Sequence, residues 1–113
     1  MSNYKLHTFR TDGSIKSDPY KQKPTFPEMY KEISCSMIEM STAYLPKYSN
    51  RKDGYTDIYF DEEFLLKSPP VDVNKVITDA WYKWQKKTGH QSLPGTHIHG
   101  NVCVIQKVED DAA

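Results

Sequence analysis

The chain has 113 residues, enough for one domain with one modest core. Formal net charge is zero, which argues against the strongly basic surface that sequence-independent nucleic-acid binding needs. No apolar run reaches bilayer length, no signal peptide is evident, and Cys35 and Cys103 form neither a CxxC pair nor a disulfide framework. A soluble protein of the reducing cytoplasm is the expectation.

Charge is unevenly spread. Residues 1–52 carry nine Lys/Arg against five Asp/Glu, and residues 53–113 carry six against ten. Eight tyrosines supply rings that suit a core, a pocket or an interface. With only 37% hydrophobic residues, the chain is expected to hide further surface by homo-oligomerisation.

Tyr4 to Arg10 alternates and predicts a strand, with Tyr4, Leu6 and Thr8 on one face and Lys5, His7 and Phe9 on the other. Asp12-Gly13 predicts a turn with a short return over 14–16, and the polar residues 17–24 read as a loop. Thr25-Phe26-Pro27-Glu28 is a capping-box pattern, with proline in the first turn. Phe26, Met29, Tyr30 and Ile33 continue it at helical spacing, so a short helix runs from Phe26 to about Ser34. Ser36 to Leu45 predicts a strand, and Pro46 to Gly54 a polar hairpin loop. Tyr55 to Phe60 predicts the return strand. Asp61-Glu62-Glu63 turns the chain, and Phe64-Leu65-Leu66 predicts a short apolar strand.

Asp72 is a candidate N-cap for the longest helix, Val73 to Thr88. Val73, Val76, Ile77, Ala80, Trp81 and Trp84 form its apolar stripe. Gly89 suits the position just past its end. The segment from Gly95 to Ile105 alternates and predicts the last strand, closing one edge of the fold. The sum is a single α+β domain over 4–107: a mostly antiparallel sheet of about five to six strands with two helices packed on one face. Residues 108–113 are an acidic tail, expected to be disordered.

Several pieces recur together in a known pattern: Asp12-Gly13, the helix from Phe26 to Ile33, Asp61-Glu62-Glu63-Phe64-Leu65-Leu66, Asn74, and Ile98-His99-Gly100-Asn101-Val102-Cys103-Val104-Ile105. In this the chain resembles a small uncharacterised domain family of phage, plasmid and bacterial mobile-element genomes. It departs from the pattern in a longer second helix with two tryptophans and a longer hairpin at 46–54. The resemblance implies an accessory protein acting inside a bacterial host cell. It carries no settled activity over to this chain, and no cofactor is expected.

His97 and His99 stand two apart, so a strand would project both from one face. Such a pair can hold a metal ion with a third ligand from His7, His90, Asp61, Glu62 or Glu63. Cys103 lies about 13 Å along the strand from His99, at ~3.3 Å per residue, too far to share that ion. Gly100 is a candidate bulge that would break the alternation. Lys83, Lys86, Lys87 and His90 make a basic helix end, and Tyr82 and Trp84 are candidate stacking or anchoring groups beside it. No P-loop, nucleophile elbow or dinucleotide fingerprint occurs.

The ligand-binding candidates are therefore Lys83, Lys86, Lys87, His90, Trp84, Tyr82, His97 and His99, with no catalytic residue among them. The expected function is non-catalytic binding, either of a host protein or of a small ligand such as a signalling nucleotide. The alternatives are DNA binding through Lys75, Lys83, Lys86 and Lys87, and a small metal-dependent enzyme built on His97 and His99.

Overall fold

Two local hairpins and one late strand build the sheet. The computed structural model describes residues 3–35, 37–61, 72–89 and 97–108. Within them, in chain order, are β1 (Tyr4–Phe9), β2 (Ile15–Tyr20), α1 (Phe26–Ile33), β3 (Ile38–Tyr44), β4 (Tyr55–Asp61), α2 (Lys75–Thr88) and β5 (Val102–Lys107). The predicted strand at Phe64–Leu66 and the acid tail from residue 109 lie outside the described residues.

The first hairpin is set by its turn. Asp12 Oδ1 accepts from the Ser14 backbone N–H at 2.8 Å, and Gly13 takes the left-handed conformation at φ 90°. β2 is longer than the sequence pattern predicts, reaching Tyr20 through residues expected to form a loop. It is an edge strand, so its polar residues and Pro19 are tolerated there. The second hairpin joins β3 to β4, and its closing Gly54 is fixed on two counts. Its φ is 80°, and a Cβ there would lie 2.7 Å from a Tyr44 ring carbon.

β5 joins the hairpins. The order across the sheet is β2-β1-β5-β4-β3, and every pairing is antiparallel. The last strand therefore lies at the centre of the sheet and does not close an edge. It also starts later than the pattern predicts, at Val102, because Gly100 adopts φ 84° and breaks the extended run. Val108 continues the ladder, donating to the Asn3 carbonyl at 2.8 Å, so the tail does not begin there.

The α+β class and the antiparallel sheet agree with the sequence, but the helices divide between the two faces. Ile77 and Ala80 of α2 share a core with Phe9, Ala43, Ile58, Phe60, Val102 and Val104. Met29 and Ile33 of α1 pack with Leu6 and Cys103, flanked by Tyr59 and Ile105. Val102 and Val104 alternate with Cys103 and Ile105 along one strand, so the two sets point to opposite sides. The physical reason is the central place of β5. A strand covered on both faces needs apolar side chains of both parities, and Val102, Cys103 and Val104 are all fully buried.

Each helix is anchored by its start. The Glu28 carboxylate accepts from the Thr25 backbone N–H at 2.8 Å and from the Thr25 hydroxyl. α2 begins at Lys75, with Asn74 rather than Asp72 as its cap. Asn74 is fully buried. Its Oδ1 accepts from the Ile77 N–H at 3.2 Å, and its Nδ2 donates at 2.9 Å to the carbonyls of both Phe9 and Gly100. One side chain thus ties the helix start to the end of β1 and to the turn before β5. The buried face of α2 is Ile77, Thr78, Ala80 and Gln85, with Trp81 packed against it. Val76 is exposed, and Val73 lies outside the helix in a bridge to His99.

Candidate functional site

The described residues proposed from the sequence fall in four places. Lys83, Lys86 and Lys87 project from the end of α2 and line an open groove with Tyr44. The Lys87 ammonium stands 5.6 Å from the centre of the Tyr44 ring, within cation–π range. Tyr82 and His97 meet further up the helix, where the phenol oxygen lies 3.2 Å from Nδ1, and Trp81 stacks on Tyr82. Trp84 is half-buried on α2, and its carbonyl accepts from the Thr88 hydroxyl at 2.8 Å. His99 bridges to Val73. His90, Glu62 and Glu63 lie outside the described residues.

The two histidines are not on β5. They flank Ile98, whose N–H donates to the Thr78 hydroxyl at 3.0 Å and whose carbonyl accepts from the Asn74 N–H at 2.8 Å. His97 is engaged with Tyr82, and among the described residues no three His, Cys, Asp or Glu side chains converge closely enough to hold a metal ion. Cys103 is sealed between Thr8 and the α1 core, and burial pushes its thiol up to about 12, so it stays protonated and inert.

A further place, absent from the sequence reading, is a break in the sheet. β5 pairs with β1 along its whole length, from Tyr4 opposite Lys107 to Phe9 opposite Val102. With β4 it pairs, among the described residues, only where Tyr59 faces Cys103. Beyond that point the 46–54 loop takes over. The Asn50 side chain accepts from the Lys107 N–H at 2.7 Å and donates to its carbonyl at 2.6 Å, imitating a neighbouring strand. Gln106 donates to the Lys47 carbonyl at 3.2 Å.

Parity then identifies what faces the gap. Lys107 turns its main chain toward Asn50, so in the same strand Ile105 and Cys103 also turn theirs away from β1. Cys103 is satisfied by Tyr59. On the other side, the Tyr55 N–H donates to Asp53 at 2.9 Å and the Tyr55 carbonyl accepts from Ser49 at 2.5 Å. Between these closed positions stand the main chains of Asp57 and Ile105, to which the β4–β5 ladder does not extend.

The gap opens into a cleft of about 290 Å³, walled by Tyr4, Tyr55 and Tyr59 and bordered by Lys23, Arg51, Lys107 and Asp57. Arg51 reaches Asp57 at 3.4 Å, which leaves two lysines to give the border its excess positive charge. Burial, then the nearby Asp57 carboxylate, raises the Tyr59 phenol above its ordinary value, so it keeps its proton and can donate. The Tyr55 ring meets Tyr44 edge-on with centroids 5.9 Å apart, so the cleft and the lysine groove share an aromatic wall. Nothing in the local sequence marks this site. It arises from long-range register, with Ile105, Asp57 and Asn50 brought together from three separate segments.

Compared with protein-family models, curated proteins and solved structures, the chain matches none. No helix among the described residues is long and apolar enough to cross a membrane.

Proposed function

We propose that this chain is a non-catalytic binding protein that sequesters a small anionic ligand in the cleft between β4 and β5, as an accessory factor of a phage or mobile element inside a bacterial cell. The observation that carries the reading is the lining of the cleft. Three tyrosine rings offer flat apolar walls, and Lys23, Arg51 and Lys107 outweigh the single carboxylate of Asp57. Such a mix of apolar wall and few polar groups is what holds small ligands in concave sites. The lysines of α2 stand next to it across the Tyr44–Tyr55 pair and add to the positive field at its approach.

Calorimetric titration with inorganic pyrophosphate, ribose 5-phosphate and a set of nucleoside phosphates tests this. At least one is expected to bind, and Tyr55→Ala and Arg51→Ala are each expected to weaken it about tenfold, or ~1.4 kcal/mol. Variants that stay folded yet bind as well as the parent, or no binding by any phosphate compound, refute the reading. A second reading, an acidic segment of a host protein docked on Lys83, Lys86 and Lys87, is favoured only by the open Tyr44 groove. It predicts that replacing these three lysines abolishes host-protein capture and leaves phosphate binding by the cleft largely intact.

A further inference from the structure

We infer that the ligand is a nucleotide whose base enters the break in the sheet edge-first, pairing with the main chain of Ile105, while its phosphate stays outside with Arg51 and Lys23. This rests on the preceding reading of the cleft and deepens it to a ligand class.

The argument begins with the shape of the break. Main-chain groups in a sheet interior are normally paired, since an unpaired buried donor or acceptor is costly. Here the ladder stops for one residue on each strand. It is closed on one side by Tyr59 and Cys103, and on the other by Asn50 on Lys107 and by Ser49 and Asp53 on Tyr55. An added peptide strand would need open groups at every second residue, and among the described residues at this break only Ile105 and Asp57 supply them. A single planar edge carrying one donor beside one acceptor fits the N–H and C=O of one residue. Nucleobases carry such edges.

The walls agree with the opening. Tyr59 lies opposite Cys103 and Tyr4 opposite Lys107, so their rings flank Ile105 on the same face of the sheet. Aromatic rings beside a main-chain edge hold a flat heterocycle by its faces while the backbone reads its rim. Saturated sugars and simple phosphates have no use for either. Lys23, Arg51 and Lys107 then stand at the border, where a phosphate attached to the base through a sugar keeps part of its hydration. The volume of about 290 Å³ suits a mononucleotide with its phosphate at the mouth, and excludes a duplex.

The test is a titration of ¹⁵N-labelled protein followed by amide resonances, using the four common nucleoside monophosphates, their nucleosides, and ribose 5-phosphate. At least one monophosphate is expected to shift the Ile105 and Asp57 amides and slow their hydrogen exchange. The matching nucleoside moves the same amides at higher concentration. Arg51→Met is expected to cost the monophosphate about tenfold and the nucleoside much less. Ribose 5-phosphate binding as tightly as every monophosphate, or an Ile105 amide unmoved at saturation, overturns the inference while leaving an anion-binding cleft in place. Silence from every phosphate compound overturns both.

Discussion

His7 shows how much a single side chain is asked to do in this fold. It is almost fully buried on β1, yet polar. Its Nε2 lies 2.8 Å from Gln106 Oε1, which can only accept, so Nε2 carries the proton. Nδ1 is then an acceptor, and the Ser17 hydroxyl at 2.7 Å donates to it. The chain Ser17–His7–Gln106–Lys47 crosses β2, β1 and β5 and ends on the loop that supports the cleft. Burial lowers the basicity of His7 from its ordinary value of 6.5, with the Gln106 bond opposing the shift. The folded state therefore takes up its proton less readily than the unfolded chain. Stability is level above that value and falls as pH drops from about 6.5 through the lowered folded value. Urea unfolding between pH 8 and 5 is expected to show this decline, and His7→Gln is expected to flatten it. An unchanged slope in the variant assigns the decline to other groups.

At the scale of elements, α2 depends on a cap that is also a clamp. Asn74→Ala removes the acceptor for Ile77 and the amide that donates to the buried carbonyls of Phe9, which keeps its ladder partner Val102, and of Gly100. A lost cap costs about 1 kcal/mol, and the stranded Gly100 carbonyl raises the total to roughly 2–4 kcal/mol. Denaturant melts of the variant check this, and a loss under 1 kcal/mol would mean that water replaces the amide. Elements like this were legible to different degrees. The capping box at Thr25–Glu28, the turn at Gly13 and the stop at Gly89 carry local chemistry, and each stands where the residues place it. β2 was hidden because an edge strand needs no apolar alternation. The cap at Asn74 was hidden because its partners Phe9 and Gly100 are distant in sequence. The run Val102-Cys103-Val104-Ile105 held the sign of two-sided burial, but the same run fits a one-sided strand, so its parity alone could not assign the helices to faces. Of the candidate site, the lysines of α2 were visible as charge. The break beside Ile105 was not, because it is made by the absence of pairing between residues far apart.

For the molecule as a whole, β5 is the strand on which both cores meet. Cys103 sits at its middle, fully buried between α1 and the sheet, and burial holds its thiol at about 12 against 9.0 in an open chain. It is thus a reporter of global opening. In a Cys35→Ser background, thiol labelling at pH 8 is expected to be slow and to follow the unfolding equilibrium as denaturant is added. Rapid labelling without denaturant would mean that the sheet centre opens locally. The same placement governs how the fold is reached. Each hairpin can form from neighbouring residues, but neither β1 nor β4 acquires its inner partner until the last strand in chain order threads between them. Up to that moment both hairpins hold out an unprotected flank to any other extended chain nearby. Completion of this sheet is a race between its own final segment and a stranger's.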